Sequence, residues 1–140
     1  YIDKGPREDT REAACKNAEY AYRYAEDIDK GPHENTRKAV QISLLFTYAY
    51  ALNIDKGPRK DTRKIACENP SYAYMYAQDI DKKPRVDTRK IACKEPKYAY
   101  LYMLNVDKDF HEDTYNAVLD TEYEREYLEF INNPIKEKII

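Results

Sequence analysis

The chain repeats itself every 26 residues: Ile-Asp-Lys opens at Ile2, Ile28, Ile54 and Ile80, and returns as Val106-Asp107-Lys108. The copies run 2–27, 28–53, 54–79, 80–105 and 106–131 of a 140-residue chain, with a one-residue slip near the end of the fifth. The third and fourth agree at 17 of 26 positions, so the period is strict. A unit this short cannot bury an apolar face alone. It must stack on its neighbours, which predicts one array over 2–131 and a tail or short final helix over 132–140.

Two helices fit each copy. Asn69-Pro70 reads as an N-cap followed by proline at the first helical position, where a missing N–H costs nothing. Asn17, Ser43 and Thr121 occupy the same capping slot in other copies, and Glu95 is a poorer substitute. The helix that follows carries Tyr72-Ala-Tyr-Met-Tyr-Ala and is expected to run through Ile80 and stop near Lys82. At 100° per residue, Pro70, Ala73, Tyr74, Ala77 and Ile80 share its inner face, with Tyr72 and Tyr76 on the flank.

Gly5, Gly31 and Gly57 fall just past these helix ends, where a left-handed residue commonly terminates a helix. Pro6, Pro32, Pro58 and Pro84 are then expected in the first turn of the next helix, which spans Arg59 to about Cys67 in the third copy. Thr62, Ile65 and Ala66 face its core side, opposite Lys60, Lys64 and Glu68. Frequent Pro and Gly, with Ala-rich stretches, exclude a strand reading. The fold expected is all-α, an α-solenoid of five helix-turn-helix repeats.

Two copies depart from the pattern. The second carries Ile42, Leu44, Leu45, Phe46 and Leu52, so its second helix is apolar nearly all round and needs cover on both sides. The fifth replaces Tyr-Ala-Tyr with Thr121-Glu-Tyr-Glu-Arg-Glu-Tyr-Leu-Glu-Phe-Ile131, a polar face of the kind that ends a stack. The first copy has no matching change. Together with Tyr1 standing one residue before a repeat, this reads as the edge of a longer array.

Composition removes several function classes. The most apolar run, Ala39–Leu45, is broken by Gln41 and Ser43 and is far short of the roughly 18 apolar residues of a membrane span. No secretory leader pattern is visible, and a cytoplasmic setting is expected. Lys plus Arg (24) against Asp plus Glu (26) gives a net charge of −2, which does not favour a general phosphate-binding surface.

The candidate reactive groups recur with the repeat. Cys15, Cys67 and Cys93 share one repeat position, which places them too far apart for a disulfide or one zinc. They read as small half-buried fillers. His33 and His111 fill the slot held elsewhere by Arg7, Arg59 and Arg85, which suits a solvated basic position and not an acid–base catalyst. Asp3, Asp29, Asp55, Asp81 and Asp107 occur once per copy, whereas an enzyme needs one asymmetric constellation. No catalytic residue, cofactor or metal site is expected.

The polar set common to the copies admits two readings. Thr10, Thr36, Thr62, Thr88 and Thr114 are the same in every copy, and Arg11, Arg37, Arg63 and Arg89 yield only to Tyr115. In the structural reading, Arg of one hairpin bonds Asp of its neighbour in bidentate fashion and the Thr hydroxyl binds backbone. In the functional reading, Lys4, Lys30, Lys56, Lys82 and Lys108 with the Arg/His series form a ladder of contacts to a phosphate backbone, with Tyr rows for stacking.

The phrases Asn69-Pro-Ser-Tyr-Ala-Tyr-Met-Tyr-Ala and Glu95-Pro-Lys-Tyr-Ala-Tyr-Leu-Tyr resemble the tandem "PxYAYxYA" repeats of bacteriophages, large viruses and some bacteria. The resemblance covers residues 2–105. It implies a helical array in a phage or viral setting inside a host cell, as a virion component or an inhibitor of a host defence protein, and it brings no catalytic residues. The function expected is a non-enzymatic scaffold for another macromolecule, a host or virion protein first and a nucleic acid second. The contact residues expected are Leu44, Leu45 and Leu52, with Lys30, Lys56, Lys82, Arg37, Arg63, Arg89, Arg59 and Arg85.

Overall fold

The computed structural model describes residues 5–133. Among these residues there are ten α-helices and no strand: α1 Glu8–Ala14, α2 Ala18–Tyr24, α3 Glu34–Val40, α4 Leu44–Tyr50, α5 Lys60–Ala66, α6 Pro70–Tyr76, α7 Val86–Ala92, α8 Pro96–Tyr102, α9 Glu112–Val118 and α10 Glu124–Ile131. This is the all-α helical-repeat solenoid expected from the period. Each of the first nine helices is only seven residues long, below the roughly 12–15 residues at which an isolated helix becomes marginally stable. Packing against neighbours therefore holds them, with local help from caps. Asn17 accepts from the Tyr20 N–H, Ser43 from Phe46, and Asn69 from both Ser71 and Tyr72, whereas Glu95 makes no such bond.

The second helix of each of the first four hairpins does not continue as α. It widens into a five-residue π turn at Ala25–Asp29, Ala51–Asp55, Ala77–Asp81 and Met103–Asp107. The residue that ends each π turn in the left-handed region is Lys30, Lys56, Lys82 or Lys108 (φ 54–56°), and no glycine has positive φ. The glycines expected to terminate these helices thus lie one residue too late, because the wider turn brings the Lys30 N–H back to the Ala25 carbonyl. The prolines also precede the helices rather than entering them. Arg7, His33, Arg85 and His111 intervene as N-caps with extended backbone, and the first helix of each hairpin is correspondingly shorter than expected.

Contacts cluster into two units, Tyr1–Ala66 with α1 to α5 and Cys67–Ile140 with α6 to α10. In the first, α2 packs on α1, α3 and α4, and α4 packs on α3 and α5. Its core joins Ala21, Ala25, Val40, Tyr50 and Ile54, with Phe46 and Tyr22 closing over it. In the second, α6 packs on α7 and α8, and α8 on α7 and α9. Its core includes Tyr74, Ala77, Ala92, Tyr102 and Val106, and farther along Ala99, Met103, Val118 and Tyr127. Small Ala side chains set the close approach of these helices, and tyrosine rings fill what remains.

The fifth copy ends its unit differently. Asp120 takes a left-handed conformation, and α10 begins at Glu124, three residues after Thr121. Thr121 still serves locally, accepting from the Tyr123 N–H. This loop absorbs the one-residue slip, so Tyr127 stands where Tyr24, Tyr50 and Tyr102 stand in their hairpins and is likewise fully buried. Helix α10 stops at Ile131 with Asn132 as C-cap. Of the tail or short final helix expected over 132–140, residues 134–140 lie outside the described residues, as do Asp3 and Lys4.

Candidate interaction surface

The recurring polar residues form an internal device. Tyr50, expected on the flank of its helix, is completely buried and its hydroxyl reaches the start of α3. There the His33 N–H donates to it (2.9 Å), the His33 carbonyl lies 3.1 Å away, and the Thr36 hydroxyl lies at 2.8 Å. The Thr36 hydroxyl is also 3.0 Å from the His33 carbonyl. Two hydroxyl protons and two acceptors close the set, and no buried side-chain polar atom among the described residues lacks a partner. Tyr24 repeats this with Arg7 and Thr10, Tyr102 with Arg85 and Thr88, and Tyr127 with His111 and Thr114. The invariance of Thr thus has a packing cause: Val would leave a buried tyrosine hydroxyl short of a partner.

Arginine adds a second tie in the hairpins of Arg11, Arg37 and Arg89. Arg11 forks onto Asp29 (2.6 and 3.1 Å), Arg37 onto Asp55, and Arg89 onto Asp107. Both partners are largely buried in each pair. The guanidinium of Arg37 also sits 5.8 Å from the Tyr50 ring centre, and Arg89 sits 5.5 Å from that of Tyr102. Bonding to the carboxylate raises the pKa of each of these arginines against the opposing effect of burial. The bidentate pair expected from sequence is present: Arg11, Arg37 and Arg89 each pair with the Asp of the following 26-residue copy. Asp29 and Asp55 lie at the C-terminal ends of the π turns that continue α2 and α4, so in the fold each pair joins the two helices of one hairpin.

This assigns the expected contact residues to different places. Arg37 and Arg89 are held internally by Asp55 and Asp107. Arg63 is half-buried. Arg59 is exposed and Arg85 half-buried, and each forks onto the aspartate two residues on, Asp61 and Asp87. His33 and His111 turn Nδ1 to the N–H of Asn35 and Asp113, so the histidine ring caps its helix. Lys30, Lys56 and Lys82 are exposed. A polar groove of about 420 Å³ lies against the π turns, lined by Lys30 and Lys56 with Glu26, Asn53 and Ile54.

The apolar residues of the second copy divide. Phe46 turns inward against Tyr22, with ring centres 5.8 Å apart, and Leu44 is half-buried. Ile42 is 82% exposed, Leu45 55% and Leu52 37%. With half-buried Ala49 they follow a 3-4-3 spacing, and no charged residue occurs from Ile42 to Ile54. The other copies carry charge in this stretch: Glu19, Arg23 and Glu26 in the first, Asp79 in the third, Lys97 in the fourth.

The three cysteines are free and half-buried. Burial pushes the Cys93 thiol up to about 11. Near pH 8 its thiolate fraction should be about 100-fold below that of an ordinary protein thiol, so Cys93 is expected to react with a thiol reagent about 100-fold more slowly than a free cysteine does. Comparable rates in a stopped-flow assay on the folded chain would contradict this burial.

The chain matches no protein-family model, no curated protein and no solved structure.

Proposed function

We propose that this chain is a non-enzymatic scaffold that binds another protein. The observation that carries the reading is the exposure of Ile42, Leu45 and Leu52 in a copy that carries no charge from Ile42 to Ile54. Support also comes from the polar residues that recur in every copy. They act as hairpin ties, which leaves the chemistry of the surface to the positions where copies differ. The likeness to phage and viral tandem repeats extends the proposal to a host or virion protein as the partner, met in the host cytoplasm.

A second reading, nucleic-acid binding, is favoured by one feature. Lys30, Lys56, Lys82 and Lys108 hold the left-handed conformation although glycine or asparagine bears it more easily. Loss of Arg37 and Arg89 to internal pairs weakens that ladder. One experiment separates the two. The full chain, immobilised and exposed to nuclease-treated lysate, is expected to retain a protein. Mixed-sequence RNA is expected to show no saturable polarisation change at low salt. RNA binding that falls steeply with added salt, with no protein retained, would replace the first reading with the second.

A further inference from the structure

Neighbouring copies differ most in charge between the fourth and the fifth. Residues 80–105 carry seven Lys and Arg against three Asp and Glu, whereas 106–131 carry two against nine. Both copies lie in the second unit, where α7 packs beside α9 and both pack on α8. One whole hairpin separates α7 from α9, so the two helices run in the same direction. Their outward sides therefore lie next to each other with opposite charge.

Burial shows which of these charges reach solvent. From Lys83 to Lys94 the exposed charged residues are Lys83, Asp87, Lys90 and Lys94. Asp87 is bonded by half-buried Arg85, and Arg89 is closed in by Asp107. Exposed Glu95 follows in the turn into α8. The matching stretch of the fifth copy exposes Asp109, Glu112, Asp113 and Asp120 and no Lys or Arg. Half-buried His111 accepts from the Asp113 N–H. Two apolar side chains stand at matching ends of the helices: Val86, which starts α7, is 77% exposed, and Phe110, just before α9, is 50% exposed.

Such a face complements itself. A twofold axis lying between α7 and α9 and parallel to them sets α7 of one molecule over α9 of the other, and the reverse. Each repeat position of the fourth copy then meets the same position of the fifth, 26 residues on. Lys83 meets Asp109 and Lys94 meets Asp120, while Lys90 meets Asn116 with Glu112 one turn away. Two matches are like-charged, Lys82 with Lys108 and Asp87 with Asp113, and Arg85 offsets the second. The pairing also covers Val86 and Phe110. We infer that the outward face of α7 and α9 is a contact between two copies of this chain, held by complementary charge. Helices of seven residues offer less than the roughly 800 Å² per partner of a standard interface, so the dimer is expected to be weak and salt-dependent. It is independent of the protein-binding reading, which rests on the second copy.

Sedimentation velocity on the full chain tests this. At low salt the weight-average sedimentation coefficient should rise with concentration from the monomer toward the dimer value. About 0.5 M salt, which screens exposed charges beyond about 4 Å, should hold it at the monomer value. Lys90→Glu/Lys94→Glu turns the face mainly acidic, and Glu112→Lys/Asp120→Lys turns it mainly basic. Each variant alone should dimerise at least about tenfold more weakly, a difference of about 1.4 kcal/mol. Mixed in equal amounts, the two should form a heterodimer, because each now carries the charge that the other lacks. Lys16→Glu/Lys38→Glu makes the same charge change in the first unit and should leave dimerisation unaltered. All six side chains are exposed, and lysine already holds the left-handed conformation of Asp120 at four places, so circular dichroism should not change.

An unaltered chain that stays monomeric at low salt at every concentration would overturn the assignment. So would a charge-reversed variant that dimerises as well as the unaltered chain, a mixture that stays monomeric, or loss of the dimer in Lys16→Glu/Lys38→Glu. None of these outcomes bears on capture of a lysate protein, so the dimer contact and the protein-binding reading can fail separately.

Discussion

Asp55→Ala is expected to destabilise the chain by about 3–5 kcal/mol, because it strands the Arg37 guanidinium between α3 and the π turn without a counter-charge. Against a total of roughly 5–15 kcal/mol for a domain, that is about a fifth of the stability or more. The companion variant decides the cause. Arg37→Met/Asp55→Leu removes both charges and fills the same space, and it should recover most of the loss, ending within about 1–2 kcal/mol of the unaltered chain. Urea unfolding followed by circular dichroism measures both. A loss below about 1 kcal/mol for Asp55→Ala would show that the pair is solvated enough to behave as a surface ion pair, and the hairpin tie described here would be wrong.

Tyr50→Ala is expected to cost about 3–5 kcal/mol, since it empties a fully buried ring site among Ala21, Ala25, Val40 and Ile54. Tyr50→Phe separates packing from hydrogen bonding. It keeps the ring but takes the acceptor from the His33 N–H and a partner from the Thr36 hydroxyl, for about 1–3 kcal/mol. Adding Thr36→Val to Tyr50→Phe should cost less than the two single changes summed, because the second removes a group that the first has orphaned. Strict additivity would sink the shared network. The same hydroxyl gives a pH signature. Burial raises the Tyr50 pKa above the ordinary 10, so its contribution is complete below pH 10 and is lost as pH rises beyond it. Alkaline unfolding should therefore begin above pH 10, later in Tyr50→Phe if ionisation of this hydroxyl drives it.

Much of this was legible before any coordinates. The period, the two helices per copy, the caps at Asn17, Ser43 and Asn69, the inner face of Ala73, Tyr74, Ala77 and Ile80, and the Arg–Asp pairing all follow from residue type and spacing. Each of these is a local property or a property repeated often enough to reinforce itself. The apolar departure of the second copy was also visible, but not its division into inward Phe46 and outward Ile42, Leu45 and Leu52. A wheel drawn at 100° per residue does not reach Ile42, which stands before the extended Ser43 cap, and it loses its phase at Leu52, where the helix widens into a π turn that nothing in Ala-Leu-Asn-Ile-Asp announces.

The amino-acid sequence by itself determined that the chain is a stack of paired short helices, because a 26-residue unit with one apolar face has no other way to bury it. Only the tertiary structure decided that the tyrosine expected on the flank, Tyr50, is fully buried, that Asp55 closes on Arg37 within one pair of helices, and that Lys56 rather than Gly57 turns the chain. Those choices depend on where a hydroxyl or a carboxylate finds its partner across a gap of 14 to 18 residues, and such pairings exist only once the helices have closed on each other.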